Sequence, residues 1–345
     1  MAELIDLLGE PAWDSALSGL DGELFQSRRW LGALNSAFGL EFEASIERNG
    51  AGAIVGGVPF CRIDDIRGSR IATLPFSDFV IPMVEDESQW QKLVEPMLDY
   101  GLPVSVQTAA DSIVALDPRF EPAGSTVRHS IALDDDIDSL VARFSQLPRR
   151  FLRKADKAGL RFEMATGRDD LRAFYDLHLG VRKYKHKLLC QPYSLFEAIW
   201  ENFIADGCGG VMLGFDGDQA VGGCLVLEAG DTLYYKFSAS HPDYRQLGVS
   251  HAAVVESMKY GLARGLSHLD LGRSDIDQPG LIDFKRRFGA TATELGRFVW
   301  APEHYCPRAD ESGALLGRLT ELFVDSQVPD EMTERAGDLL YRYFA

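Results

Sequence analysis

Cysteine is scarce in this chain of 345 residues and follows no disulfide or metal-binding spacing. The five cysteines are scattered and include no C-x-x-C pair: Cys61, Cys190, Cys208, Cys224 and Cys306. An odd number of thiols without ligand spacing argues against a disulfide framework and against a zinc site. We therefore expect reduced thiols and no bound metal.

Long apolar runs and a basic leader are also missing. No apolar run approaches the ~20 residues that span a bilayer. The N-terminus, Met1–Asp6, is acidic and lacks the basic region and apolar core of a secretory signal. We expect a cytoplasmic protein without a transmembrane segment, peripheral to the inner membrane face if it acts on a lipid-linked substrate.

Positive charge is in deficit over the chain as a whole, because 35 Lys and Arg face 52 Asp and Glu, for a net charge of −17. This balance argues against nucleic acid in general and DNA in particular. The segment Arg143–Lys187 is the exception, with thirteen Lys or Arg against five Asp or Glu, a local net of +8. It is either a phosphate-facing surface or a set of solvated helix faces, and the sequence leaves both open.

A short pattern occurs twice and predicts two domains on one plan. Residues 42–58 contain a strand, an Asn-Gly turn and a returning Gly-Gly strand, and residues 212–224 repeat this order with an Asp-Gly turn. The acidic run Asp134–Asp136 is suited to a domain boundary. We predict an N-terminal domain over 1–136, a second domain over 137–303 and a C-terminal helical extension over 304–345.

The stretch from Asp231 to Ala292 predicts a right-handed crossover between parallel strands. A strand at Leu233–Phe237 leads through a Gly-bearing turn to a helix with Ser250 as a candidate cap, and a second strand follows at Leu266–Gly272. Such a unit directs backbone N–H groups and a helix N-terminus to one place, which favours anionic groups.

The element order resembles the GNAT acyltransferase fold, and several motifs resemble its Fem-like branch, the FemA/FemB/FemX aminoacyltransferases. The motifs are Arg149-Arg150-x-x-Arg153-Lys154-x-x-x-x-Gly159-Leu160, His178 with Arg182, Gln191-Pro192, Tyr234-Tyr235, Asp270-Leu271-Gly272-Arg273-Ser274, and Gly280-Leu281-x-x-Phe284-Lys285-x-x-Phe288-Gly289. The resemblance implies an α/β (α+β) protein. It would have two tandem GNAT-like domains, each a twisted mixed sheet flanked by helices, followed by a helical tail.

The resemblance also implies a donor site and catalytic residues. Arg245, Gly248 and Ser250 resemble the R/Q-x-x-G-x-G/A run that holds the donor's phosphates, although Ser replaces Gly or Ala at the last position. Lys285 stands where coenzyme A-dependent members often carry a Tyr, and would neutralise a phosphate or an oxyanion. A solvated surface lysine is the alternative.

Tyr235 and Asp78 are the other catalytic candidates. Tyr235 would hydrogen-bond a substrate, and Asp78 would receive or orient the acceptor's amine proton. The alternatives are a core aromatic residue and an aspartate that caps a turn.

Seven residues are candidates for substrate binding. Arg182 would grip the diphosphate of a precursor, and His178 lies one helical turn before it. The others follow a strand end or lie in the basic run: Arg273, Ser274, Arg149, Arg153 and Lys154. A structural histidine and solvated arginines are the alternatives.

The resemblance predicts an acyltransferase that moves an aminoacyl group from aminoacyl-tRNA to an amine of a cell-wall (peptidoglycan) or envelope precursor. No cofactor is expected beyond the donor, and no Gly-x-Ser-x-Gly elbow points to a covalent intermediate. The enzyme alternative is an acyl-CoA-dependent N-acyltransferase acting on an amino sugar or another amine. The alternative without catalysis is a Fem-like domain that only binds a precursor.

Overall fold

The computed structural model describes residues 2–303 and 309–345, and the chain forms two compact units. Unit 1 comprises residues 1–126, 293–317 and 342–345, and unit 2 comprises 127–292 and 318–341. The predicted domain limits at 136 and 303 stay a prediction, and the compact units have different limits. Residues 304–308, where the predicted extension starts, and Cys306 lie outside the described residues.

Twelve strands are formed in the described chain. In chain order they are β1 (Glu3–Asp6), β2 (Phe42–Arg48), β3 (Ile54–Asp65), β4 (Gly68–Ala72), β5 (Val104–Ala109), β6 (Glu121–Ala132), β7 (Arg161–Met164), β8 (Gly209–Asp216), β9 (Gln219–Ala229), β10 (Thr232–Ser240), β11 (His268–Asp275) and β12 (Thr291–Trp300).

Twelve α-helices are formed in the same residues. They are α1 (Ala12–Leu17), α2 (Glu23–Gln26), α3 (Arg28–Phe38), α4 (Glu87–Leu98), α5 (Ile137–Ala142), α6 (Gln146–Lys157), α7 (Arg168–Gly180), α8 (Tyr193–Ile199), α9 (Val249–Ala263), α10 (Pro279–Arg286), α11 (Ala309–Phe323) and α12 (Asp330–Leu340). π-Helical turns extend α7 over Val181–His186 and α8 over Trp200–Ile204, and a 3-10 turn, Pro242–Leu247, precedes α9.

Each unit has six strands in a mixed arrangement, and the two sets of strands share one plan. In unit 1 the order is β1-β2-β3-β4-β5-β12, with an antiparallel meander from β1 to β4 and a parallel pair of β4 and β5. In unit 2 the order is β7-β8-β9-β10-β11-β6, antiparallel from β7 to β10, with β10 and β11 parallel. The predicted fold class is confirmed.

The crossover predicted between Asp231 and Ala292 is present in unit 2, where α9 links the parallel strands β10 and β11. One detail of that prediction is wrong. The residue that caps α9 is Gly248, in a left-handed conformation with φ of 89°, and Ser250 lies inside the first turn. A left-handed backbone suits glycine because it has no Cβ, so the helix is capped two residues earlier than the serine suggested.

The core of unit 2 lies between its sheet and α9. Val254 and Met258 of α9 are buried against Leu233 of β10 and Leu269 of β11. On β10 a bulge between Tyr235 and Phe237 shifts the register against β9. A bulge reorients the side chains that follow it. Accordingly Tyr235 packs with the α9 core, whereas Phe237 contacts Phe196 of α8 at a ring distance of 4.9 Å.

Candidate active site

The strands β10 and β11 pair over only three residues and then part. Their parallel register runs from Thr232 opposite His268 to Tyr234 opposite Asp270, although both strands continue beyond. Gly272 has a φ of 74°, which turns β11 away from the regular strand path. Where two strands diverge, their facing N–H and C=O groups no longer bond to each other. Other polar groups can therefore bind at this point of the sheet.

Lys285 of α10 uses that opening. Its side chain is buried, and its Nζ donates to the carbonyl oxygens of Gly272 at 2.8 Å and Arg273 at 3.0 Å. The alternative of a solvated surface lysine is therefore wrong. A buried ammonium held by two carbonyl oxygens is a fixed positive charge, which is what a developing oxyanion or a phosphate requires.

Asp270 fixes the turn that supplies those carbonyl groups. It is buried, and its carboxylate accepts hydrogen bonds from the Gly272 amide at 2.5 Å and from Arg128 Nε at 2.6 Å. His129, the neighbour of Arg128 on β6, is also buried. Burial and, second, the charge of Lys285 lower the pKa of His129 to about 4. A neutral imidazole therefore lies within the field of Lys285.

Tyr235 is the first residue of β10 beyond the parallel pairing. Burial raises the pKa of its hydroxyl well above its ordinary value, with the Cys224 thiol as the second cause. A phenol with a raised pKa stays protonated at neutral pH, so it can donate a hydrogen bond but cannot serve as a base. Ser274, two residues past Gly272, is buried, and no described group hydrogen-bonds its hydroxyl oxygen.

The start of α9 is open to an anion. Gly248 offers no capping side chain, and no acidic residue occupies the first turn. A Cβ at Gly248 would lie 2.5 Å from the carbonyl oxygen of Phe151 in α6, so only glycine allows this approach. The first N–H groups of a helix lack intrahelical acceptors, and together with the helix dipole they attract negative charge. Ser250 is half-buried in this turn.

Helix α6 brings its basic residues to the same turn. Phe151 stacks on His251 of α9 at a ring distance of 4.4 Å, and Lys154 Nζ donates to the carbonyl oxygen of Gln246 at 3.2 Å. Arg149 and Arg153, one helical turn apart, are exposed. The structure thus places Lys154 beside the predicted donor-phosphate residues, with both arginines on the same helix.

Three cations and one histidine on two elements form what we call the cationic cluster: Arg182, Lys185 and His186 of the π-helical turn, and Arg245 of the 3-10 turn. Burial and the charge of Arg245 lower the pKa of Lys185. The pKa of His186 is lowered by burial and then by Lys185, Arg182 and Arg245, in that order. Arg245 Nε is buried, and the described residues offer it no acceptor. Cations this close without a carboxylate between them are suited to an anionic ligand.

The thirteen basic residues of the segment Arg143–Lys187 divide into two groups. Five form ion pairs with carboxylates: Arg143, Arg161, Arg168, Arg172 and Lys183. In the part of the chain that the structure describes, the other eight have no carboxylate partner: Arg149, Arg150, Arg153, Lys154, Lys157, Arg182, Lys185 and Lys187. The charges of the first group are paired within the protein, and the second group supplies the positive charge on α6 and in and beside the π-helical turn.

His178 and Asp78 lie apart from these groups in different ways. His178 is buried among aromatic rings, and its Nε2 contacts Gln191 Oε1 at 2.9 Å. Burial lowers its pKa to about 4. It therefore has the properties of a structural histidine, which was the alternative to substrate binding. Asp78 belongs to unit 1, in a half-buried loop, and its catalytic role stays a prediction.

Sequence reasoning missed several residues of this region. Arg128, His129, Lys185 and His186 were not singled out, and Asp270 was quoted only as part of a motif. The motif Asp270-Leu271-Gly272-Arg273-Ser274 was the available signal for Asp270, because an Asp before a Gly often accepts that residue's amide. Arg128 could not be found in this way, since its partner lies 142 residues away.

Two further properties bear on the kind of site. In residues 2–303 and 309–345, no three His, Cys, Asp or Glu side chains are grouped closely enough to hold a metal ion. Over the same residues, every helix is too short or too polar to cross a bilayer.

Residues 142–286 match the family described as acetyltransferase (GNAT) domain. The resemblance to the Fem-like branch of the GNAT superfamily is confirmed. A relative from two strains of Staphylococcus epidermidis, named Lipid II:glycine glycyltransferase, is 36% identical over 83 residues. That match covers 22% of this chain and only 20% of the relative. The GNAT match agrees with the predicted acyltransferase class.

Solved structures agree on the Fem-like fold. A structure titled FemX has a TM-score of 0.67 at 15% identity, covering 91% of this chain and all of the other. A tandem GNAT protein from the clavulanic acid biosynthesis pathway has a TM-score of 0.57 at 11% identity, covering 89% and 100%. L-PGS from Bacillus licheniformis has a TM-score of 0.55 at 11% identity, covering 90% and 97%. These likenesses concern the fold alone.

Proposed function

We propose that this protein is an acyltransferase that moves an aminoacyl group from the ester of an aminoacyl-tRNA to an amine of a cell-wall or envelope precursor. The amine attacks the ester carbonyl carbon, the C–N bond forms and the ester C–O bond breaks. The ribose hydroxyl leaves with the proton that the amine gives up. The observation that carries the proposal is the buried Lys285 ammonium at the parting of β10 and β11.

Lys285 would stabilise the negative charge that develops on the carbonyl oxygen or on the leaving ribose oxygen. Tyr235, protonated at neutral pH, would donate a hydrogen bond to the reacting group. Asp78 remains the candidate that receives or orients the proton of the acceptor's amine. No covalent enzyme intermediate is needed for this sequence of steps.

The donor's phosphates would lie at the start of α9, between Gly248 and the cationic cluster. Arg149, Arg153 and Lys154 extend the positive surface along α6, which is more length than a single pyrophosphate requires. Phosphate contacts supply most of the affinity of a protein for RNA and do not require sequence readout. The acceptor class follows the relative whose name says that it transfers glycine to lipid II.

The second candidate is an acyl-CoA-dependent N-acyltransferase, and one observation favours it. Gly248 has the positive φ and the uncapped helix start that let a pyrophosphate approach the backbone. Against it, Lys285 replaces the tyrosine that often protonates a leaving thiolate, and Ser250 adds a hydroxymethyl group to the turn.

The test offers the protein charged tRNA and acyl-CoA thioesters separately, with a pool of envelope precursors as acceptors, and follows products by mass spectrometry. We expect aminoacylated precursor from charged tRNA only. Product from acyl-CoA alone makes the second candidate correct. Binding of precursor without product from either donor leaves only the precursor-binding alternative.

Lys285→Ala should lower kcat/KM by an amount that corresponds to a loss of about 2–4 kcal/mol of transition-state stabilisation. Circular dichroism should show that the variant is folded. Arg286→Ala is the matched control, because Arg286 is the next residue of α10 and is exposed. Lys285→Arg keeps a charge and covers the case in which the alanine variant unfolds. Equal turnover in Lys285→Ala and Arg286→Ala removes Lys285 from the mechanism.

A further inference from the structure

The C-terminal helix α12 docks on the elements that carry the cationic cluster. Its first residue, Asp330, accepts hydrogen bonds from Lys183 Nζ at 2.7 Å and from the Tyr184 hydroxyl at 2.7 Å. One helical turn later, Glu334 forms a two-point ion pair with Arg172 of α7 at 2.7 and 2.8 Å. Bidentate pairs of this kind fix orientation as well as distance.

Lys183 is the centre of this contact. Its side chain is fully buried, with 0% exposed, and its ammonium also donates to the carbonyl oxygen of Val328 just before α12. A lysine this deeply buried needs a carboxylate partner, because an unpaired ammonium away from water is costly. The Asp330 carboxylate is therefore required to keep Lys183 in its place.

Packing adds to the ion pairs. Gly337 of α12 lies against the carbonyl oxygen of Cys190, so closely that a Cβ would not fit. Leu189 packs with Val324 and Ala336. Leu189 also connects to the cluster, because its carbonyl oxygen accepts a hydrogen bond from Arg182 Nε at 3.0 Å. The docked tail and Arg182 thus share one anchoring segment.

The Asp330 carboxylate of α12 contacts two consecutive residues of the π-helical turn, one lysine and one tyrosine. Lys183 and Tyr184 contact Asp330, whereas Arg182 and Lys185, immediately before and after them, have no carboxylate partner in the described chain. A π-helical turn is an irregular backbone that needs outside support and often marks a functional site. Fixing two consecutive residues in the middle of this turn also fixes the direction of the residues on either side of them.

We propose that Asp330 is a positioning residue for anion binding: by holding Lys183 and Tyr184, it sets the π-helical turn that presents Arg182, Lys185 and His186 to the donor's phosphates. This inference rests on the proposed function for the identity of the anion. It makes the C-terminal helix part of the donor-binding apparatus, although no residue of α12 touches the donor.

The test measures binding of deacylated tRNA to the full chain over a range of salt concentrations, with inorganic pyrophosphate as a second probe. Asp330→Asn should weaken tRNA binding at least tenfold and flatten the dependence of log Kd on log salt, since fewer phosphates are neutralised. Glu331→Gln is the control, because Glu331 is the next, exposed carboxylate of α12 and its loss changes the net charge equally. Asp330→Glu should recover part of the affinity.

The charge change sharpens this comparison. Removing a carboxylate makes the protein less negative, and long-range electrostatics alone would tighten anion binding in both variants. A loss of affinity confined to Asp330→Asn therefore has the opposite sign to a simple charge effect. A merely structural role would lower the melting temperature and leave the salt dependence unchanged.

The outcomes separate the two proposals. Equal tRNA affinity and salt dependence in Asp330→Asn and Glu331→Gln overturn the positioning role. If the wild-type protein binds pyrophosphate but no tRNA, the proposed tRNA donor is wrong. The role of Asp330 is then tested by comparing pyrophosphate binding in Asp330→Asn and Glu331→Gln. If wild type binds neither, the inference is wrong. Should Asp330→Asn unfold, Tyr184→Phe removes one contact to Asp330 and is expected to weaken binding about two- to fivefold.

Discussion

Both units contain the same crossover, but the helix of each crossover begins with a different charge. In unit 1 the helix that follows the meander, α4, begins with the Asp86 side chain accepting the Gln89 amide at 2.8 Å, and Glu87 adds a second carboxylate. In unit 2 the equivalent helix, α9, begins with Gly248, without a capping side chain or an acidic first turn. The dipole of α4 thus meets carboxylates within the protein, whereas the first turn of α9 has neither a capping side chain nor an acidic residue.

The parallel strands differ in the same sense. Past the end of β4, the chain returns alongside β5, where the amides of Thr73 and Val80 donate to the carbonyl oxygens of Ser105 and Gln107. In the described part of unit 2, no such segment lies alongside β11. Instead, Lys285 Nζ donates to the carbonyl oxygens of Gly272 and Arg273 in β11. One scaffold therefore has a closed form in unit 1 and an open, positively charged form in unit 2. The comparison supports the proposal that the donor binds in unit 2.

The largest effect is expected where unit 2 depends on glycine. Gly248→Ala should cost about 1–2 kcal/mol for the left-handed backbone and about 1–3 kcal/mol more for the clash with Phe151. Gly265→Ala at the other end of α9 is the control, because Gly265 has a φ of 71° and nothing within 4 Å. Urea unfolding and donor binding should both show a larger loss for Gly248→Ala, and equal losses contradict the close approach.

A second effect is that acid should destabilise unit 2 through its buried histidines. Every histidine among the described residues lies in unit 2, and burial lowers the pKa of His129, His178 and His251 to about 4 in each case. The unfolded chain binds these protons near pH 6.5 and the folded chain does not. Their contribution to stability is therefore complete above pH 6.5 and is lost as pH falls from 6.5 towards 4.

His178→Gln should reduce the slope of unfolding free energy against pH by about 1.4 kcal/mol per pH unit in this window, because the unfolded chain then binds one proton fewer. The measurement is urea unfolding at several pH values. An unchanged slope in His178→Gln would mean that this imidazole is protonated in the folded protein.

Local patterns made the crossover predictable, and long-range pairing made the rest difficult. Alternating apolar residues and turns locate β8 to β11 well, because the period of a strand is written in neighbouring residues. β6 was not predicted, since Pro122, Gly124 and a run of small polar residues disguise a strand whose partners are distant in the chain. Secondary structure that depends on tertiary contacts has little local signature.

The candidate site shows the same limit. The sequence identifies Lys285 and Arg245 through motif spacing. It also identifies four of the thirteen basic residues of the segment Arg143–Lys187 as binding candidates: Arg149, Arg153, Lys154 and Arg182. It does not show which of the other nine form ion pairs. Only the fold shows that Arg172 and Lys183 are consumed by Glu334 and Asp330, which are 162 and 147 residues away. Ion pairs between distant residues leave no spacing rule to find, so the residues that these pairs occupy could not be identified from the sequence.

A third, smaller effect should follow from giving unit 2 the acidic helix start of unit 1. Ser250→Asp places a carboxylate in the first turn of α9, as Glu87 does in α4. The helix should gain about 0.3–1 kcal/mol from its dipole, while donor binding should fall about tenfold through repulsion of the phosphate. Ser250→Ala is the control and should bind the donor at least as well as wild type. Tighter binding by the aspartate variant would mean that no anion occupies this turn.

The smallest effect is expected from the reverse change in unit 1. Asp86→Ala removes the cap of α4 and should lower the free energy of unfolding by about 0.5–2 kcal/mol. The Gln89 amide would lose its acceptor, and the start of α4 would become as open as that of α9. Donor affinity, measured by tRNA binding, should stay at the wild-type value, because the open strands and the cationic cluster belong to unit 2.

Glu85→Ala is the control, because Glu85 is a neighbouring carboxylate ahead of the helix. This variant should change neither the free energy of unfolding nor the tRNA affinity. If Asp86→Ala alters tRNA binding while Glu85→Ala does not, unit 1 takes part in donor recognition and the division between a closed and an open unit is wrong.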